Sequence, residues 1–139
     1  MISHRYVRRL EWAYASHLSA ARIYPQAGWA QVPDDVPWHE LPLVGMARLT
    51  ASDAYENGLR SCAVELRARL SCSWRPPVEQ LALCATLTDG TLCLVGGPLP
   101  PHPLILPEDQ HPDRVGDACQ TELKITWTAD APPCILMED

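Results

Sequence analysis

The stretch Leu81–Val95, LALCATLTDGTLCLV, decides the fold. Two short apolar runs flank Asp89-Gly90, the dipeptide that supplies the positive φ angles a tight hairpin turn needs, so the stretch predicts a β-hairpin. With Asp89-Gly90 as a two-residue turn, Leu87 faces Leu92 and Ala85 faces Leu94. Leu81, Leu83, Ala85, Leu87, Leu92 and Leu94 then share the core face, and Cys84, Thr86, Cys93 and Val95 take the other. In this register Cys84 and Cys93 are diagonal neighbours roughly 7–8 Å apart, beyond disulfide reach.

Working outward, Gly58 to Trp74 alternates strictly. Cys62, Val64, Leu66, Ala68, Leu70, Cys72 and Trp74 fall on one side, while Glu65, Arg67 and Arg69 belong to a solvated face. Such alternation predicts a half-buried strand. Leu123, Ile125 and Trp127 repeat the pattern near the end, and Leu43–Thr50 reads as a shorter strand followed by a turn over Ser52–Gly58. The first 24 residues fit a helix through Val7, Leu10, Tyr14 and Leu18, or a strand through Leu10, Trp12 and Tyr14. Strand is favoured narrowly, because arginines in a first helical turn oppose the macrodipole. The 14 prolines cluster between these stretches and exclude helix or central strand there. The expectation is one mainly β domain over residues 1–139, an antiparallel sandwich or small barrel of about five or more strands, with an N-terminal segment that is a strand or a short helix.

The composition, 47% hydrophobic and 20% charged over 139 residues, suffices for a core. A net charge of −6 argues against nucleic acid, whose phosphates require a basic footprint. No run approaches the ~18 apolar residues of a membrane helix. Arg5, Arg8 and Arg9 resemble the basic start of an export signal, but Glu11, Ser16 and His17 interrupt the apolar run that must follow. A cytoplasmic location is therefore expected, with the six cysteines reduced and acting as small hydrophobes.

Candidate chemistry is sparse. The densest polar cluster is His102, Glu108, Asp109, His111, Asp113 and Asp117, in the long proline-rich connection after Gly97. Of these, His102, Asp109, His111 and Asp113 are the candidates for a divalent ion, although the paired spacing of structural zinc sites is missing and a polar surface loop explains them more simply. A small metal-dependent or cysteine enzyme built on the 97–118 loop is thus an alternative without a motif behind it, and no cofactor is implied. A small-molecule-binding barrel, lined by the Leu81–Leu94 face, is a further alternative. Interaction residues are easier to name. Trp29 and Trp38 lie in an irregular proline-rich segment, and Leu104, Ile105 and Leu106 form an edge strand or an apolar patch inside the long connection. Tryptophan and arginine are the residues most enriched at interface hot spots.

The hairpin LTDGTLCLVG at Leu87–Gly96, the following PHPLIL and the late strand LKITWTADAPP, in that order, resemble small mainly β structural proteins of tailed-phage and prophage gene clusters. The resemblance covers about the second half of the chain and transfers no functional residue. It implies a structural, self-associating role without an active site. With the tryptophan and arginine content, a protein partner or a further copy of the chain is the expected ligand, and the lack of a long apolar run makes a membrane an unexpected one.

Overall fold

The computed structural model describes residues 2–24, 27–72, 74–98, 101–110, 120–131 and 133–137. Among them lie eleven strands: β1 (Ile2–Tyr14), β2 (Arg22–Tyr24), β3 (Trp29–Gln31), β4 (His39–Leu41), β5 (Ala47–Glu56), β6 (Leu59–Leu70), β7 (Leu81–Leu87), β8 (Leu92–Val95), β9 (Leu104–Gln110), β10 (Gln120–Ala129) and β11 (Cys134–Met137). A single 3-10 turn, Ala15–Leu18, follows β1, and the described residues contain no α-helix. All strands belong to one open sheet in the order β2-β3-β11-β8-β7-β1-β5-β6-β10-β9, with β4 beside β1. Every pairing is antiparallel except β3 with β11.

The N-terminal segment is a strand, and a bulge explains why it also read as a helix. Val7 pairs with Leu87 but Arg9 pairs with Thr86, so Arg8 is the extra residue. The bulge shifts the alternation by one. Val7 and Leu10, three apart as on a helix, both enter the core with 0% exposure.

The Leu81–Val95 hairpin forms with a register one residue away from the one its sequence suggests. Ala85 pairs with Cys93 and Cys84 with Leu94, leaving Thr88-Asp89-Gly90 as a three-residue loop. The Gly90 amide donates to the Leu87 carbonyl at 3.0 Å, and the Leu87 amide donates to the Thr91 carbonyl at 2.8 Å. Gly90 occupies φ +93° as the third loop residue, and the Thr91 amide donates to the Asp89 carboxylate at 2.9 Å. Cys93 and Val95, not Leu92 and Leu94, therefore join Leu83, Ala85 and Leu87 in the main core. Cys84 and Cys93 end on opposite faces of the sheet, and both are free thiols.

The Ser52–Gly58 stretch is not a turn throughout. β5 continues to Glu56, and the turn is Asn57-Gly58 alone, with φ +53° and +77°. Positive φ at both positions is the signature of the type I′ hairpin. β6 ends at Leu70, so Cys72 lies beyond the strand and is exposed, contrary to its expected place on the core face.

The sheet rolls. From β8 to β9 there are six ladders, about 29 Å across a flat sheet at ~4.8 Å each. Yet Pro103, next to the first residue of β9, touches Gly96 at the end of β8. Only a sheet curled round its own face brings these ends together. The enclosed face holds the main core, with Leu10, Leu66, Leu70, Leu83 and Leu123 at 0% exposure. Trp12 and Trp74, centroids 6.1 Å apart, pack at one end, where the Trp74 amide donates to Thr121 Oγ1 at 3.2 Å. Trp127, partly buried toward the other end, donates its indole N–H to the Pro101 carbonyl at 3.0 Å.

A second, smaller core covers the opposite face of β1, β7 and β8. Ala13, Ala82, Leu94 and Cys134 meet Leu18 of the 3-10 turn and Val36, with Trp38 packed against them. All seven residues of β7 are buried for that reason.

Candidate interaction surface

β2, β3 and β11 extend the sheet past β8 as a small flap. The Tyr24 carbonyl accepts the amides of Ala27 and Gly28, at 3.1 and 2.9 Å, which turns β2 into β3. Gly28, at φ +80°, in turn offers its carbonyl to the Ile135 amide at 2.9 Å, and this fixes where β11 enters. In the resulting register Tyr24, Trp29 and Ile135 lie in one row, Arg22, Gln31 and Met137 in the other row of the same face. The opposite face, Ile23, Ala30 and Leu136, packs on the second core.

The outward face is largely apolar and open. Tyr24 is 43% exposed, Ile135 42% and Met137 52%. Trp29 stacks on Tyr24 with centroids 4.4 Å apart and planes tilted by 36°. Beside it opens a groove of about 260 Å³ lined by Ala20, Arg22, Gln31, Val32 and Pro33. No described carboxylate pairs with Arg22. An aromatic pair, two exposed apolar side chains and a guanidinium without an acidic partner among the described residues, on one surface, are the ingredients of an interface hot spot.

The other expected contact residues divide. Trp38 and Ile105 pack against the second and the main core respectively. Leu104 and Leu106 point outward from β9, 56% and 48% exposed. β9 is the last strand of the sheet, so the edge-strand reading of Leu104–Leu106 holds, and Pro107 within it denies a further strand one backbone donor.

Among the metal candidates, His102 precedes β9, and its Nδ1 is buried without a hydrogen-bond partner among the described residues. Glu108 is exposed toward the far end of that strand, about 14 Å beyond Leu104 at ~3.4 Å per residue, so His102 and Glu108 cannot share an ion. Asp109 belongs to β9, whereas His111, Asp113 and Asp117 lie outside the described residues. The described residues contain no group of three or more His, Cys, Asp or Glu able to hold a metal.

Thiol chemistry is disfavoured at the four buried cysteines. Burial pushes up the thiols of Cys62, Cys84, Cys93 and Cys134, Cys84 to about 12. Next to Cys62 the Asp53 carboxylate, itself 3.3 Å from Arg60, opposes the thiolate further. An activated cysteine needs a cation or a helix N-terminus in that place. The Leu81–Leu87 side chains that a ligand-binding barrel would turn toward its cavity are buried, with Leu83, Ala85 and Leu87 packed in the main core.

The sequence pointed to Trp29 but not to Tyr24, Ile135 or Met137. The available signals were the alternation in Cys134–Met137 and the Ala27-Gly28 turn between two aromatic residues. Comparison with protein-family models, with curated proteins and with solved structures finds no match for this chain.

Proposed function

We propose that this protein is a non-enzymatic interaction module, a structural part that associates with further copies of itself, in the manner of the small β proteins of phage and prophage assemblies. The observation that carries the reading is the exposed Tyr24–Trp29–Ile135–Met137 face with its adjoining Arg22 groove. Its apolar residues are contiguous, and water-exposed patches of this kind mark association sites. The sheet ends are poorer candidates, because β2 has three residues and β9 carries Pro107. Five free thiols fit a reducing compartment such as the cytoplasm.

The test is solution mass by light scattering across a wide protein concentration range. The wild type is expected to form a defined oligomer, and Met137→Glu or Trp29→Ser to return it to monomer with an unchanged circular dichroism spectrum. A wild type that stays monomeric at every concentration overturns the proposal.

A further inference from the structure

We propose that Met137 is an oxidation site through which peroxide dissociates the assembly formed at the Trp29 face. The inference rests on the self-association reading above and adds the chemistry that reverses it.

Position singles out this methionine. The chain has three, and the described residues include two of them, Met46 and Met137, which are 64% and 52% exposed. Met46 lies just ahead of β5, and in the sheet order β1, β7 and β8 stand between that strand and β11, so it is apart from the flap. Met137 ends β11 on the outward face itself, two residues beyond Ile135 and in one row with Gln31 and Arg22. A thioether there enlarges the apolar patch, and exposed methionines of this kind are adaptable contact residues.

The step needs only hydrogen peroxide. A lone pair on the Met137 sulfur attacks one peroxide oxygen, and the S–O bond forms as the O–O bond breaks. The departing hydroxide takes the proton left on the transferred oxygen and leaves as water. Sulfur is oxidised to the sulfoxide and peroxide is reduced. Methionine sulfoxide reductases reverse the step, a dithiol going to its disulfide while the oxygen leaves as water.

Oxidation acts differently on the free and the associated face. The sulfoxide oxygen is an acceptor, and burying it against an apolar surface without a hydrogen bond is costly. On the free face it has donors close by. Gln31 is the ladder neighbour of Met137 and Arg22 the next beyond, roughly 5 and 10 Å across the sheet at ~4.8 Å per strand. Both side chains donate hydrogen bonds. A modification that favours the free face over the buried one shifts the equilibrium toward monomer. By the same linkage, association shields Met137, so the oxidant reaches its sulfur on dissociated copies. Met46 has no such protection.

The experiment treats the full chain with hydrogen peroxide, maps oxidation at each methionine by peptide mass spectrometry, and follows assembly by light scattering. Met137 should oxidise more slowly in concentrated than in dilute protein, while the rate at Met46 stays the same. Sulfoxide at Met137 should weaken association roughly tenfold or more with an unchanged circular dichroism spectrum. Methionine sulfoxide reductase with a dithiol should restore the oligomer. Met46→Leu should keep the sensitivity to peroxide. Met137→Leu, which preserves volume and apolarity, should associate like wild type and lose that sensitivity. This variant keeps every cysteine, so it separates thiol oxidation from the effect at Met137. An oligomer that survives complete oxidation of Met137, or that peroxide still dissociates in Met137→Leu, overturns this inference and leaves the association reading standing. A wild type that is monomeric before any oxidant is added overturns both.

Discussion

Gly96 is pressed against Pro103: a Cβ built on the glycine would lie 2.8 Å from the proline's Cδ and 3.1 Å from its Cγ. Gly96 also holds φ +93°, a conformation that side chains disfavour. The contact joins the end of β8 to the start of β9, strands six ladders apart in the sheet, so it is where the roll is pinned without a hydrogen-bonded seam.

Gly96→Ala combines a positive-φ penalty with a clash against a rigid ring, and should cost roughly 2–4 kcal/mol. Urea unfolding is the measurement, with a lowered midpoint and an unchanged m-value expected. A variant as stable as wild type would mean that the two sheet ends are not held together at this point.

Trp127→Phe keeps the apolar ring and deletes the indole N–H that reaches the Pro101 carbonyl. A loss of about 1 kcal/mol is expected, the usual net worth of one such bond. Hydrogen exchange should localise the effect to the 96–103 connection and spare β6.

The buried thiols make stability pH-dependent on the alkaline side. Cys84 is raised from near 9 to about 12, and Cys62, Cys93 and Cys134 shift in the same direction, all chiefly through burial. With folded pKa values above unfolded ones, the unfolded chain loses its thiol protons first, so stability is complete below about pH 8.5 and declines as pH rises toward 12. Each strongly raised thiol contributes at most about 1.4 kcal/mol per pH unit across its window. Urea midpoints at several alkaline pH values check this, and Cys84→Ala should flatten the decline even if it lowers the midpoint.

Of the five described cysteines only Cys72 is exposed. In a Cys119→Ser background, a thiol reagent should titrate one group rapidly and the other four only on unfolding. Cys72→Ser should remove the fast phase, and a second fast thiol would contradict the burial of the others.

What was legible in the chain depended on how asymmetric each strand's two faces are. β6 and β10 have one apolar and one polar face, so Leu66 and Ile125 could be placed inward and Arg67 and Lys124 outward from alternation alone. β7 and β8 are buried on both faces, and there alternation is silent. Leu92–Leu94 and Cys93–Val95 are equally apolar pairs, so the hydrophobic pattern cannot choose between registers one residue apart. The choice fell to loop chemistry, Asp89 accepting the Thr91 amide and Gly90 sitting third in the loop. In β1 the bulge at Arg8 broke the period of two and imitated a helix.

Strand-forming alternation, proline punctuation and the Asp89-Gly90 signal determined by themselves that this is a mainly β protein, because they are local properties of backbone conformation and side-chain spacing. Which residues form a surface was decided only by long-range pairing. Tyr24 and Trp29 meet Ile135 through a parallel ladder between segments more than a hundred residues apart. Arg48, Arg67 and Lys124 align only because β5, β6 and β10 pair in one register. Neither juxtaposition is written in any local stretch of sequence, since each is fixed by the burial of the faces behind it.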